Sequence, residues 1–586
     1  MPYVGETHPR GRQARVLLSS VFGPYARDDE HGSRAVDPME LYHNQVTRVQ
    51  GVFSLRMFHR SWGLMLIQSN VEAPCTLLDF PSLDRFVEEI RSHPYDVIGI
   101  SAILPNLEKV REMCRLVRQH RPEAAIVVGG HVAGVPDLAS RVDADYIVPG
   151  EGVSWFRRFL GDRADRPLRH PVIVSGFGAR TMGVPLGDVP QDTATVLIPS
   201  VGCPMGCDFC ATSAMFGGKG RSVSFYENGA ELFDVMCRLE RETGSGSFFV
   251  MDENFLLYRR RALELLSRMK AAGKAWSLYV FSSANTLRLY SMEELVGLGV
   301  SWVWLGLEGE GSDYVKLRRT DTRELVLRLR EHGIRVLGSS IIGLPEHTPE
   351  TIDRAIEHAV AHDTEFHQFM LYTPLPGTPL YARHAADGTL LGREECPDAD
   401  VHGQHRFNFR HRHIPAGEET HLLLRAFTRD FEANGPSVLR VVRTLLAGWR
   451  RHKDDPDPRV RARIRRECRS LPTTQAAAVW AAERWLRRNR PVAHRLRALR
   501  GELVREFGWR TRVVSRVAGT LLLVAMRLEA RRLRRGTTCE PPTFYDANPA
   551  ALASSPGAQP CRCVGADEGG ARMPDAGAVP ALESGV

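Results

Sequence analysis

Apolar and polar positions follow two alternating periods over residues 15–152. Short runs rich in β-branched and other apolar residues predict strands at 15–20, 75–80, 96–103, 124–131 and 145–152. Between them, residues 81–93 and 106–122 place apolar residues at helical spacing, with charged residues on the opposite face. Strands that alternate with helices predict a doubly wound α/β domain built on a parallel sheet.

Small residues stand where these predicted strands end. They are Ser101, Gly129, Gly130, Gly150 and Gly152. In doubly wound folds ligands bind beyond the carboxyl ends of the strands, and residues without bulky side chains let a large flat cofactor approach the backbone. The alternative is that these glycines only make the turns from strand to loop.

The pattern of apolar residues in the last third of the chain predicts helices. From Gly417 to about Arg535 apolar residues recur at helical spacing, with breaks at Gly435-Pro436 and at 454–458. In the last predicted helix an apolar stripe lies among arginines, which makes this helix basic and amphipathic. The stripe consists of Val514, Val517, Leu521, Val524 and Leu528, and the arginines are Arg512, Arg516, Arg527, Arg531 and Arg532.

Such a helix can lie on an anionic membrane surface, or it can pack on the protein while its arginines stay solvated. We expect packing on the central domain, with the stripe buried, because the stripe is short and neither end of the chain carries a lipid-attachment motif. Contact with a membrane surface is the less favoured alternative. Residues 537–586 are rich in Ala, Gly and Pro and predict a disordered tail.

The composition is that of a folded globular protein. Of 586 residues, 43% are hydrophobic and 25% are charged, and this length is enough for roughly two to four domains. The net charge of +8 does not by itself require a nucleic-acid partner, and we expect none. We find no signal-peptide core at the N-terminus and no apolar run of the roughly 18 residues that span a bilayer. We therefore expect a cytoplasmic protein.

Three of the 11 cysteines are clustered. Cys203, Cys207 and Cys210 follow a predicted strand at 194–200, in the spacing C-x-x-x-C-x-x-C. Three thiolates on one loop can bind three irons of a [4Fe–4S] cluster and leave the fourth iron open, whereas a closed structural zinc site needs four protein ligands. Phe209, directly before the third cysteine, is an aromatic residue that can shield such a cluster.

This loop resembles the signature of the radical S-adenosylmethionine (radical SAM) enzymes, whose catalytic domain is a partial (β/α)6 barrel. The resemblance implies that the three cysteines bind the cluster and that S-adenosylmethionine chelates the open iron. Later segments resemble the remaining strands of that barrel. They are 246–255, 276–284, 300–309, 338–346 and 366–381.

The resemblance also implies which polar residues contact S-adenosylmethionine. Asp252, Glu253 and Asn254 end one predicted strand, where the family places the polar group that holds the methionyl amine. Glu308 ends another, where the family often has a ribose contact. Polar residues at strand ends also serve as helix caps, and that alternative stays open for each of them.

Segment 338–346 resembles the family motif G-x-I-x-G-x-x-E, with Ser339 in place of the first glycine. Ile341, Gly343 and Glu346 match the motif, and by resemblance Ile341 and Gly343 belong to the cofactor site. The alternative for Gly343 is an ordinary turn glycine.

Residues 402–414 are rich in histidine and aromatic residues. Their histidines do not show a regular metal-ligand spacing. We expect a polar loop that closes the mouth of the barrel and brings Phe407 and Phe409 near the substrate.

The N-terminal domain resembles a cobalamin-binding domain, in which a serine after the third strand and a Gly-Gly after the fourth line the pocket of the nucleotide tail. Ser101 and Gly129-Gly130 occupy those places. Domains of the mutase type carry D-x-H-x-x-G, with the histidine on cobalt. Here Asp29 and His31 fit this spacing, but Arg34 replaces the glycine. We therefore expect His31 in a surface loop and a cobalt without a histidine ligand.

Together the resemblances imply a cobalamin-dependent radical SAM enzyme that acts on a small molecule. A reductant such as flavodoxin or ferredoxin supplies an electron, and the resulting 5′-deoxyadenosyl radical removes hydrogen from an unactivated carbon. Methyl transfer from methylcobalamin is the first reaction class. Rearrangement or cyclisation, with or without cobalamin and including reaction on a lipid, is the alternative. A non-catalytic iron–sulfur or cobalamin sensor is a further alternative, but a sensor does not require a barrel.

The expected fold class is α/β, followed by a helical region. We predict a cobalamin-binding-like Rossmann domain at 1–160, a linker at 161–190, a radical SAM barrel at 191–400, a basic helical region at 401–536 and a disordered tail at 537–586. Cys561 and Cys563 fall in that tail, where we expect no role for them.

Overall fold

A computed structural model describes most of the chain. The described residues are 7–23, 30–33, 45–55, 60–176, 180–186, 193–309, 317, 320–535 and 544–547. They form an N-terminal α/β domain, a central half-barrel and a set of C-terminal helices.

The N-terminal sheet is parallel, as the apolar runs predict. Its strands are β1 (Val16–Ser20), β2 (Cys75–Asp79), β3 (Val97–Ser101), β4 (Ala125–Gly129) and β5 (Tyr146–Val148), in the order β2-β1-β3-β4-β5. Its helices are α1 (Trp62–Gln68), α2 (Leu83–Ser92), α3 (Leu107–His120) and α4 (Gly152–Phe159). Helices α2 and α3 cover one face, and α1 and α4 cover the other. Every residue of β1 and β2 is buried, as expected for strands of a parallel sheet that helices cover on both faces.

The predicted linker at 161–190 contains regular structure. Strand β6 (Val174–Gly176) is followed by a two-stranded hairpin of β7 (Arg180–Thr181) and β8 (Val184–Pro185). Strand β6 pairs antiparallel with the first strand of the central sheet. The prediction of a mere linker is therefore wrong for these residues, because the edge strand of the central sheet offers free backbone groups that β6 can pair with.

The central domain supplies its strands and helices in alternation. They are β9 (Thr193–Leu197), β10 (Ser200–Val201), α5 (Ala211–Met215), β11 (Val223–Ser224), α6 (Gly229–Thr243), β12 (Ser247–Val250), α7 (Arg259–Ala271), β13 (Ser277–Ser282), α8 (Ala284–Leu287), α9 (Met292–Leu298), β14 (Val300–Glu308), α10 (Thr322–Glu331), β15 (Arg335–Ile342), α11 (Ile352–Val360), β16 (Phe366–Leu371) and α12 (Pro379–Ala386). Strand β15 begins at Arg335, earlier than the predicted residue 338, and Gly343 already lies in the following turn.

Six parallel strands form an open half-barrel in the order β16-β15-β14-β13-β12-β9, with β6 on the outer edge of β9. Side chains alternate between its two faces. In β14, Leu305 and Leu307 are buried in the main apolar core, whereas Trp302 and Trp304 line a cavity with residues of the neighbouring strands. The predicted partial barrel is thus confirmed, and its concave face is rich in aromatic residues.

The C-terminal region is helical, with breaks where the sequence predicts them. Its elements are α13 (Glu418–Asn434), α14 (Ser437–His452), α15 (Pro458–Glu467), a π-helical turn (Leu471–Gln475), α16 (Ala476–Trp485), α17 (Arg490–Phe507), α18 (Trp509–Arg534) and β17 (Phe544–Ala547).

Strand β17 lies in the tail for which the composition predicts disorder. It pairs antiparallel with β2, the edge strand of the N-terminal sheet. Gln68 donates a side-chain hydrogen bond to the carbonyl of Asp546 at 3.0 Å, and the Arg85 guanidinium lies 5.3 Å from the centre of the Tyr545 ring. The prediction of disorder is therefore wrong for these four residues, because an edge strand leaves backbone groups unpaired and a short aromatic segment can bind them.

Helix α18 packs on the protein, but not through its apolar stripe. Ser515 and Met526 are buried, and a Cβ atom at Gly519 would lie 2.7 Å from the Trp480 ring of α16. On the opposite side, the side chains of Val517 and Leu521 are 63% and 70% exposed. The prediction that the stripe is buried against the central domain is therefore wrong, because small residues let the other face of α18 approach α16 closely.

The described helices include none that is long and apolar enough to cross a membrane.

Helix α15 packs across the N-terminal ends of the barrel strands and contacts them through charged side chains. Arg459, Arg463 and Arg466 donate to the carbonyls of Gly297, Val300 and Ala275, at 3.3, 3.2 and 2.8 Å. Glu467 accepts hydrogen bonds from Ser277 at 2.6 Å and from the buried Arg335 at 2.8 Å. Burial alone would raise the pKa of Glu467, but Arg335 and Arg463 outweigh burial and hold this pKa below its ordinary value.

We expect Glu467→Gln to lower the free energy of unfolding at pH 7 by about 3 kcal/mol, because it leaves buried arginines without their counter-charge. The loss should be largest above about pH 4.3, the ordinary pKa of glutamate, and should vanish as the pH falls through the lower folded pKa. Urea unfolding at several pH values measures it. Glu242→Gln, in the exposed pair with Arg238, is the matched control and should cost less than about 1 kcal/mol. Equal losses in the two variants would contradict the structural role of Glu467.

Candidate functional site

The three clustered cysteines lie on the loop that joins β10 to α5, at the carboxyl end of β9. All three are partly buried. The amide of Cys210 donates to the carbonyl of Cys207 at 3.1 Å, and the amide of Ser213 donates to the Cys210 sulfur at 3.4 Å. The Ser213 hydroxyl donates to the carbonyl of Cys203 at 2.8 Å. The first turn of α5 thus holds both ends of the cysteine loop.

The other two thiols and Glu253 act on the thiol of Cys203. Burial is the main reason why the pKa of Cys203 rises to about 11, and Cys210, Cys207 and Glu253 raise it further. Within the described ranges, no three His, Cys, Asp or Glu side chains are placed to hold a single metal ion. A [4Fe–4S] cluster binds each cysteine through a different iron, so its ligands need not converge on one point. Three soft ligands on one loop fit such a cluster.

Two glycines let the loop fold back on itself. Gly202 and Gly206 have φ angles of +82° and +67°, which favour glycine. A Cβ atom at Gly206 would lie 2.5 Å from Cβ and 2.6 Å from Cα of Lys219, and one at Gly202 would lie 2.7 Å from Cβ of Phe216. The segment after the third cysteine therefore packs directly against the segment before it.

We expect Gly206→Ala to disrupt the cysteine loop, because its methyl group would collide with the Lys219 backbone. Iron and sulfide bound per chain after anaerobic reconstitution should fall severalfold, and the visible absorbance of the cluster should fall with them. Gly218→Ala is the matched control, because Gly218 also has a positive φ (+79°) but a Cβ atom there would meet nothing within 4 Å. A similar loss of iron in both variants would show that backbone strain alone, not the collision, disrupts the loop.

The three polar residues at the end of β12 have different surroundings. Asp252 forms a buried ion pair with Arg261 at 2.7 Å and accepts hydrogen bonds from the Ser200 hydroxyl and the Asn254 amide. The Asn254 side chain donates to the Ser283 hydroxyl at 3.1 Å. Asp252 therefore links the end of β12 to α7 and β10, and Asn254 links it to the end of β13.

Glu253 differs from both neighbours. Its Oε2 atom is buried and accepts no hydrogen bond from the part of the chain that the structure describes. Burial, with a smaller contribution from Asp252, raises the pKa of Glu253 to about 7. The backbone of Gly202, beside Cys203, lowers this pKa and so offsets part of the rise. A carboxylate oxygen without a partner, next to the cysteine loop, fits the ammonium group of S-adenosylmethionine.

Glu308, at the end of β14, is buried and has a φ angle of +54°. The register between β14 and β15 shifts between Gly306 and Glu308. A non-glycine residue in this conformation costs free energy, and such residues cluster at functional sites. The structure therefore gives Glu308 an unusual backbone at the end of the strand where the sequence places a ribose contact.

The motif residues after β14 are mainly packing residues. Ile341 is buried in an apolar cluster that also includes Phe407 and Phe409. A Cβ atom at Gly343, whose φ is +77°, would lie 2.4 Å from the Phe407 ring. Loop 402–414 thus packs on the end of β15. The expectation that Phe407 and Phe409 reach the substrate is wrong, because both are buried in this cluster.

The carboxyl ends of the N-terminal strands bring the predicted cobalamin residues together. Ser101 and Gly129 are paired at the ends of β3 and β4. A Cβ atom at Gly130, whose φ is +80°, would lie 2.8 Å from the Ser101 hydroxyl oxygen. A Cβ atom at Gly129 would meet a single backbone oxygen, at 3.8 Å, so this edge has room for a ligand.

This edge of the N-terminal sheet faces the cysteine loop. His131 Nε2 lies 3.2 Å from the Thr212 hydroxyl oxygen in α5. A Cβ atom at Gly150, after β5, would lie 3.5 Å from the carbonyl of Met215. The two candidate cofactor regions therefore meet at α5, which the sequence alone does not show.

His31 lies in the loop after β1 and is half-buried, with its ring 5.8 Å from the ring of Phe22. Asp29 and Arg34, the other residues of the predicted ligating motif, lie outside the described residues. The absence of a histidine ligand on cobalt therefore stays a prediction.

The concave face of the half-barrel lines a chamber that the sequence motifs do not reveal. Its empty volume is about 730 Å³, including space open to solvent. Its aromatic residues are Phe249, Tyr279, Phe281, Trp302, Trp304 and Phe366. Val46 and Leu55, from the segment before α1, cover its open side. The signal in the sequence is the spacing of aromatic residues two apart in β13 and β14.

Comparisons with known proteins find two family models that match parts of the chain. Residues 54–160 match the B12 binding domain, and residues 197–359 match the radical SAM superfamily. Both matches fall where the structure has its N-terminal α/β domain and its half-barrel.

Three curated relatives are similar to the chain at low identity. An uncharacterized methyltransferase of Pyrococcus horikoshii is 25% identical, over 52% of this chain and 72% of the relative. Bacteriochlorophyllide d C-12(1)-methyltransferase of Chlorobaculum tepidum is 28% identical, over 32% of this chain and 41% of the relative. Anaerobic magnesium-protoporphyrin IX monomethyl ester cyclase of Cereibacter sphaeroides is 24% identical, over 52% and 56%.

Proposed function

We propose that this chain, a radical SAM enzyme with a B12 binding domain, methylates a carbon atom of a bulky, apolar small-molecule substrate. The observation that carries the proposal is the position of the cysteine loop. It lies at the carboxyl end of β9 and leads into helix α5, where Thr212 contacts His131 at the carboxyl edge of the N-terminal sheet. Strand β9 belongs to the sheet that lines the aromatic chamber. Two cofactors and a substrate can therefore meet there.

Different residues of the chain bind the different cofactors. Cys203, Cys207 and Cys210 hold the [4Fe–4S] cluster, and Glu253 accepts a hydrogen bond from the ammonium group of S-adenosylmethionine. Ser101, Gly129, Gly130 and Gly150 line the surface against which cobalamin lies. When bound, the cluster and S-adenosylmethionine supply a radical that removes hydrogen from carbon, and cobalamin supplies the methyl group.

The aromatic chamber selects the substrate. Six aromatic side chains offer broad apolar surfaces and few polar groups, so burial of apolar area provides most of the binding free energy. The same walls exclude water from the reacting carbon, which limits loss of the radical to side reactions. Two of the three relatives are methyltransferases by name, which favours methyl transfer as the reaction.

The direct test is an anaerobic assay of the reconstituted full chain with S-adenosylmethionine, hydroxocobalamin, a flavodoxin or ferredoxin reducing system and candidate apolar substrates. We expect 5′-deoxyadenosine, S-adenosylhomocysteine and a substrate heavier by one methylene group, identified by mass spectrometry. The variant with Cys203→Ala, Cys207→Ala and Cys210→Ala should lose the brown colour and all three products. Products from that variant, or a full cluster in it, would contradict the assigned ligands.

A second candidate function is radical cyclisation, which the named cyclase among the relatives favours. The same assay distinguishes it, because cyclisation leaves no added methyl group and produces no S-adenosylhomocysteine. A product with fewer hydrogens and no added carbon would favour cyclisation over methylation.

We expect Glu253→Gln to weaken the binding of S-adenosylmethionine by about tenfold or more, because a hydrogen bond to a charged group contributes about 1.5–3 kcal/mol. Iron content should stay unchanged. Asp252→Asn is the comparison, because it breaks the ion pair with Arg261 and should lower the melting temperature instead. Isothermal titration with S-adenosylmethionine measures the affinities. Weaker binding in Asp252→Asn alone, without loss of stability, would assign the ammonium contact to Asp252.

A further inference from the structure

We propose that the exposed side of helix α18 binds the surface of an anionic membrane. This side carries a continuous row of apolar side chains, each between 37% and 70% exposed. They are Trp509, Val513, Val514, Val517, Leu521, Val524 and Leu528, and we call them the α18 stripe. The helix has 26 residues and is therefore about 39 Å long at 1.5 Å per residue.

The charges beside the α18 stripe are positive. The exposed arginines of this helix and its last turn are Arg510, Arg512, Arg516, Arg527, Arg531, Arg534 and Arg535. Its one acidic residue, Glu529, is buried and forms ion pairs with Arg180 at 2.9 Å and Arg532 at 3.1 Å. The exposed side of α18 thus combines apolar side chains with arginines that have no ion-pair partner among the described residues, and this is the combination that binds anionic lipid headgroups.

A second element extends this surface. A Cβ atom at Gly183, in the hairpin of β7 and β8, would lie 2.5 Å from the carbonyl of Ala525, so the hairpin packs against the flank of α18. Val184 and Leu186 beside it are exposed. Apolar side chains from two separate parts of the chain therefore lie next to each other on one side of the molecule.

The positive charge also argues against a second copy of the chain as the occupant. Two α18 stripes packed face to face would bring their arginines together, and repulsion between like charges would oppose the contact. A lipid surface has the opposite charge, and long arginine side chains can reach its headgroups while valine and leucine enter the acyl region. Since the described helices include none that spans a bilayer, α18 lies on the surface.

The test is flotation of the full chain with vesicles of phosphatidylcholine alone or of an equimolar mixture with phosphatidylglycerol. We expect binding to the anionic vesicles that is at least about tenfold tighter than binding to the neutral ones, and that weakens with added salt because salt screens the arginines.

Two variants separate the apolar and the charged contributions. Val517→Ser with Leu521→Ser should weaken binding to anionic vesicles by about tenfold or more, because two side chains no longer enter the acyl region. Arg527→Gln with Arg531→Gln should weaken it by a similar factor and reduce its salt dependence. The matched control is Leu289→Ser with Leu327→Ser, two leucines that are 58% and 50% exposed elsewhere on the protein, and it should bind like the unmodified chain.

All four chains should keep the same melting temperature, because the substituted side chains are exposed. Failure of the unmodified chain to float with anionic vesicles would overturn the proposal, as would equal loss of binding in the control. Sedimentation as a dimer that Val517→Ser with Leu521→Ser dissociates, without vesicle binding, would instead assign the α18 stripe to a second copy.

Discussion

An open half-barrel leaves its concave face uncovered, and the arrangement of the other parts follows from the need to cover it. The six parallel strands do not close into a ring, and aromatic side chains of β13 and β14 project from that face. Segment 45–55 crosses the opening, where Val46 and Leu55 pack against Leu337 and Phe366. This segment is anchored by Gln50, which bonds to Ser437 at 2.8 Å, and by Arg48, which bonds to the carbonyl of Gln404 at 2.7 Å.

The two ends of the half-barrel are closed by different means. At the N-terminal end, α15 places arginines on backbone carbonyls, and its Glu467 pairs with the buried Arg335 of β15. At the carboxyl end, the N-terminal domain approaches so closely that a Cβ atom at Gly377 would lie 2.6 Å from the carbonyl of Gly134. Charged groups therefore close the N-terminal end, whereas small residues and open backbone form the end where the cysteine loop lies.

The roles of the polar residues in the site depend on which of them already have hydrogen-bond partners within the protein. Asp252 and Asn254 form hydrogen bonds to other residues of the chain. Glu253, in contrast, has a buried oxygen without a partner among the described residues. A buried polar atom without a hydrogen bond is costly, and a cofactor that supplies the missing donor removes this cost. Glu308, at the end of β14, has a strained backbone of the kind that clusters at functional sites.

The sequence alone determined the parallel strands, the helix breaks at Gly435 and 454–458, and the cysteine loop, because each rests on local spacing. The tertiary structure decided which polar residue beside that loop is available, because the partner of Asp252 is Arg261 on the next helix. It also decided that the tail contributes β17 and that α18 exposes its apolar stripe. Helical periodicity shows that a stripe is apolar, but Ser515 and Gly519 let the opposite face pack more closely, and that contact exists only between folded helices.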